Sequence, residues 1–128
     1  MDLFARVVVG VDGTAFGFEA LRQALTLSPS GGAVRAVTAV DTGIAVHAGF
    51  DMSHVVGQLE EEADRVRAMT AEIMGSRPNR TTEVVRGDAK SVLRHVCVEH
   101  DATLLALGGR SSSRFLGMLA GETASTLL

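Results

Sequence analysis

The stretch ARVVVGVD, residues 5–12, constrains the fold more than any other part of the chain: four valines in near-continuous succession, closed by the turn residues Asp12, Gly13 and Thr14. A strand that meets water on one side alternates apolar and polar residues. One that is apolar on both sides has to be covered on both, which is the situation of a strand in a parallel sheet flanked by helices.

The rest of the chain keeps to that pattern. From Thr14, a plausible N-cap, TAFGFEALRQALTLS sets Phe18, Leu21, Ala24, Leu25 and Ser28 at helical spacing. SPSGG stops the helix, and AVRAVTAVD (33–41) reads as a second strand. Residues 42–51 lack a period and read as a loop. MSHVVGQLEEEADRVRAMTAEIM is a long amphipathic helix. Its expected inner stripe is Val55, Leu59, Ala63, Val66, Met69 and Ile73, and its charged outer face runs from Glu60 to Arg67. Gly75 and Pro78 close it. TTEVVRG is a third strand; DAKSVLRHVCVEH is a helix capped by Asp88 with Val92, Leu93, Val96 and Cys97 inward; ATLLALGG is a fourth strand; and GETASTLL reads as the start of a further helix.

Strands alternating with helices predict an α/β fold, an open doubly wound parallel sheet with helices on both faces, formed by one domain over residues 1–128. Ligands of such sheets bind outside the carboxyl ends of the strands. Here those ends are Asp12, Asp41 and Gly108, and they converge if the strand order is 3-2-1-4.

Several function classes find no support. A net charge of -3 gives no electrostatic footprint for nucleic acid or an anionic membrane, and a chain without Trp or Tyr has no aromatic platform for stacked bases. No apolar run approaches the roughly 20 residues of a membrane helix. The opening MDLFARVVVGVDG lacks a signal-peptide pattern and Cys97 is the lone cysteine, so the expected compartment is the cytoplasm. His47, His54, His95 and His100 have no ligand spacing, and no metal site is expected. There is no Gly-x-Ser-x-Gly elbow, no His-Glu-x-x-His and no Walker loop. Catalytic residues are therefore not assigned, and a binding or regulatory role is expected.

VVVGVDGT at the start, VRGDAKSVLRHVCVEHDATLLALGGR later, and the glycine-punctuated segment after the fourth strand resemble the universal stress protein family over almost the whole chain. The resemblance implies a sheet of order 3-2-1-4-5, homodimers formed through the fifth strand, and a stress-response role. In nucleotide-binding members it implies ATP or AMP, with Mg²⁺ accompanying ATP and at most slow ATP hydrolysis. The family's phosphate motif is Gly, two residues, Gly, nine residues, Gly, then Ser or Thr. Gly108 takes its first position and Gly121 its third, but the middle glycine is Ser111 and the hydroxyl position is Glu122, with Thr123 one place late. Gly109 and Arg110 lie inside the segment. The family's acidic residue at the end of strand one falls on Asp12, flanked by Val11 and Gly13, and Ala39, Val40 and Leu107 fall where members line the adenine pocket. After GETASTLL the family would add its fifth strand; the chain is thus expected to lack that strand, to be truncated in its fourth helix, and to leave strand four as an open edge.

Glycines let backbone N–H groups approach a phosphate closely. Glu122 opposes this by placing a carboxylate at the hydroxyl position, although a carboxylate in a first helical turn is also favourable in itself. Arg110 and Arg114 could offset its charge. Asp12-Gly13 is equally ordinary turn chemistry. Two alternatives to nucleotide binding stay open: an interaction module of the same fold, and an adenylyl-transferring enzyme, which would need a Ser-Gly-Gly-x-Asp-Ser loop that this chain lacks after strand one.

Overall fold

A computed structural model describes residues 2–43 and 53–108, and the backbone of 118–120. The elements run β1 (Arg6–Gly10), α1 (Ala15–Leu27), β2 (Ala33–Val40), α2 (Ser53–Met74), β3 (Arg80–Arg86), α3 (Ala89–Glu99), β4 (Leu104–Leu107) and β5 (Met118–Ala120). They form one sheet of order β3-β2-β1-β4-β5, with β1 to β4 parallel throughout. The expected 3-2-1-4 order holds.

β1 is apolar on both sides because both sides are covered. Val7 and Val9 join a cluster with Phe18, Leu21 and Ala24 of α1 and Val66 and Met74 of α2. Val8 faces the other way, onto Val92, Leu93, Val96 and Cys97 of α3. Burial pushes the Cys97 thiol up to about 11, which makes it an inert packing residue at neutral pH. Two caps start these helices as the sequence predicts: the Thr14 hydroxyl accepts from the Gly17 amide, and Asp88 accepts from the Ser91 amide at 2.9 Å.

Two expectations are corrected. The inner stripe of α2 is Ala63, Val66, Thr70 and Met74, while Leu59 and Met69 stay 38% and 47% exposed. Ala63 and Val66 are buried as expected and Ile73 packs against the core, but Thr70 and Met74 take the inward places in the second half of the helix. It can bury Thr70 because the hydroxyl donates to the Val66 carbonyl at 2.7 Å, one turn back in the same helix, so no unsatisfied polar group enters the core. Nor is β4 an open edge. Residues 118–120, assigned from sequence to the glycine-rich loop, form a fifth strand antiparallel to it, with Leu104 opposite Ala120 and Ala106 opposite Met118. The expected helix at GETASTLL lies outside the described residues.

Candidate functional site

Parallel strands joined by helical crossovers bring every strand-to-helix junction to one edge of the sheet, along with the first turns of the helices. At that edge lies a cavity of about 370 Å³. Its floor and walls are Gly10, Val11, Val37, Ala39, Ala89, Leu93, Leu107 and Gly108, and its charged lining residues are Asp12 and Lys90. An apolar slot with a few convergent polar groups is the usual construction of a small-molecule site, and this volume falls at the lower end of the range of about 300–1,000 Å³.

Asp12 is held by the start of α1. Its Oδ1 accepts from the Thr14 amide at 3.0 Å and the Thr14 hydroxyl at 2.6 Å, and that hydroxyl in turn accepts from the Gly17 amide at 3.2 Å. A side chain at position 17 would intrude here, since its Cβ would sit 2.7 Å from Asp12 Oδ1. The carboxylate is thus anchored by one oxygen, and among the described residues no ion pair neutralises it.

Gly108 closes the cavity from β4. A Cβ at this position would lie 2.1 Å from the Phe16 carbonyl oxygen and 2.5 Å from the Gly17 amide nitrogen. The end of β4 therefore runs directly against the first turn of α1, an approach that only glycine permits. This contact explains the glycine at 108 independently of any ligand.

The third side of the cavity is the first turn of α3. Asp88 caps it, and hydrogen bonds from Ser91, the backbone amide foremost, hold its carboxyl below the usual range. Two residues on, Lys90 lines the cavity, and among the described residues it has no ion-pair partner.

Of the residues expected from sequence, Val11, Asp12, Ala39, Leu107 and Gly108 come together around this space. Val40 and Gly13 do not line it. Val40 is buried on the face of β2 opposite Ala39, as the two-residue period of a strand requires. Gly13 adopts a φ of +85° in the turn and lies against Val66 of α2. Gly109, Arg110, Ser111, Gly121, Glu122 and Thr123 lie outside the described residues. Sequence reasoning missed Lys90, Leu93 and Val37 as lining residues. For Lys90 a signal existed: it follows the Asp88 cap by two positions, and the first turn of a helix after a parallel strand sits at the carboxyl edge.

A second cavity, of about 260 Å³, lies at the opposite edge, among Arg6, Val8, Val34, Arg35, Asn79 and His100. Both of its guanidiniums are engaged: Arg6 donates to the Asp101 carbonyl at 2.8 Å, and Arg35 binds Glu83 through two nitrogens at 2.7 and 3.0 Å and also contacts the His100 ring. The pairing holds the Glu83 carboxyl below its ordinary range and raises Arg35 further. Among the described residues no group of His, Cys, Asp and Glu is placed to hold a metal ion, and no helix is long and apolar enough to cross a membrane.

The chain is matched over residues 3–128 by the model of the universal stress protein family. Among solved structures it is similar to a protein from that family from Burkholderia pseudomallei, with 25% identity, a TM-score of 0.65, and coverage of 85% of this chain and 84% of that one. It shares its fold with universal stress protein UspA from Lactobacillus plantarum, at 20% identity, a TM-score of 0.66, and coverage of 97% and 90%. The same holds for a universal stress protein in complex with cAMP, at 19% identity, a TM-score of 0.54, and coverage of 95% and 87%. No curated protein sequence matches the chain.

Proposed function

We propose, from the premise that the chain belongs to the universal stress protein family, that it binds an adenine nucleotide, ATP or AMP, in the cavity at the carboxyl ends of β1, β2 and β4. The observation that carries this reading is the cavity itself: an apolar slot at the ligand-binding edge of an open α/β sheet, with a fixed carboxylate at one side. A flat base suits the slot between Val37 and Ala39 on β2 and Leu93 and Leu107 opposite. The vicinal hydroxyls of a ribose are donors that complement the oxygen of Asp12 not engaged by Thr14. A universal stress protein of this fold in complex with cAMP is consistent with an adenine nucleotide fitting the architecture. The role in this reading is binding and, through it, regulation in the stress response, with a homodimer as the functional form, as family membership suggests.

Titration calorimetry with AMP and ATP tests the reading, using Asp12→Asn as the control. Asparagine retains a carbonyl oxygen to accept from Thr14, so the turn and the melting temperature are preserved while the charge is lost. Affinity falls about tenfold, the scale of one charged hydrogen bond. Absence of heat and of any melting shift with AMP and ATP at millimolar concentration overturns the proposal.

A further inference from the structure

The cavity has one positive group among its described lining residues, Lys90 of α3. We infer that Lys90 receives the phosphate of the bound nucleotide and gives the cavity its preference for a phosphorylated over a neutral nucleoside. This rests on the nucleotide reading above and goes beyond it by naming what discriminates among adenine compounds.

Four observations carry the inference. Lys90 lines the same space as Asp12, so one cavity offers a carboxylate to hydroxyl donors and an ammonium to an anion. The remaining walls are apolar, which leaves an anion in the cavity no other positively charged side chain among the described lining residues. Lys90 has no ion-pair partner among the described residues, so binding a phosphate breaks no existing pair. Asp88, the nearest acid in sequence, feels the Lys90 charge but makes no ion pair with it, and accepts instead from the Ser91 amide. That cap also engages one of the free amides of the α3 first turn, leaving the ammonium as the stronger attraction for an anion. A lysine suits the task as a compact charge on a flexible stem, able to follow a phosphate without a fixed geometry.

The test is calorimetry with adenosine and AMP on the wild-type chain, Lys90→Met and Lys90→Arg, at low and high salt. Lys90 is exposed, so all three forms fold alike, which melting curves verify. AMP binds the wild type about tenfold more tightly than adenosine, and added salt narrows the margin. Lys90→Met abolishes the margin and leaves adenosine affinity unchanged; Lys90→Arg restores it. If Lys90→Met retains the full preference for AMP, the assignment of Lys90 is wrong while the nucleotide reading stands. If neither adenosine nor AMP binds any form, the nucleotide reading fails and the role of Lys90 with it.

Discussion

At the amino edge of the sheet Arg35 and Glu83 close on each other through two hydrogen bonds; at the carboxyl edge Asp12 and Lys90 line a cavity, with neither in an ion pair among the described residues. The two cavities are comparable, about 260 and 370 Å³, and each is largely apolar in its walls. The difference between them is where the charge is directed. The amino-edge charges satisfy each other and so contribute to the folded state. At the carboxyl edge the turn at Thr14 holds one oxygen of Asp12, and neither Asp12 nor Lys90 has an ion-pair partner among the described residues. A hollow in a protein is not by itself a site. The state of its charges distinguishes a packing gap from a place to bind.

The largest effect expected of this contrast comes from backbone. Gly108→Ala drives a methyl group into the Phe16 carbonyl, where neither partner is a flexible side chain, and costs about 3 kcal/mol or more. Urea unfolding measures it. The matching change toward the other edge, Gly31→Ala, meets no heavy atom within 4 Å and stays within about 0.5 kcal/mol. Equal losses for the two would erase the distinction.

Next in size is Glu83→Gln, which removes the charge that pairs with Arg35 and lowers stability by about 1 kcal/mol at neutral pH, a modest value because both side chains remain about a quarter exposed. The pH dependence has a definite sign. The Glu83 carboxyl is depressed in the folded state by its hydrogen bond to Arg35, so its contribution is full above the ordinary glutamate range, near about 4.3, and is lost as pH falls below it. Unfolding curves of wild type and variant therefore separate at pH 7 and converge in acid. A constant gap down to pH 3 would show that the pair contributes through packing alone.

The smallest effect is the sharpest test. Lys90→Met changes stability by less than about 0.5 kcal/mol, since the ammonium has no ion-pair partner among the described residues to lose. A drop as large as that of Glu83→Gln would place Lys90 with the structural charges and dissolve the contrast between the edges.

Much of this architecture is legible in the residues. The apolar run of β1 requires cover on both faces, and Thr14 and Asp88 announce the starts of α1 and α3 by their capping chemistry. The inward face of α3 follows from its spacing. The failures have physical causes. Thr70 reads as polar, yet an intrahelical hydrogen bond makes it fit for the core, and that changes which residues of the second half of α2 face inward. β5 is three residues long, too short for any period to show. Its antiparallel sense breaks the alternation that predicts the rest. At the site, Val11, Asp12, Ala39, Leu107 and Gly108 are found from family resemblance and strand ends together. Lys90 is missed because a lysine in a first helical turn reads as ordinary solvent-facing charge until the cavity beside it is seen.

The abutment of β4 on α1 reaches as far as the carboxylate of the cavity. The amide that touches position 108 belongs to Gly17, the same amide that fixes Thr14 and, through it, Asp12. Strand end, helix start and carboxylate thus share one junction, and a side chain forced in at position 108 would be felt at Asp12, two hydrogen bonds away.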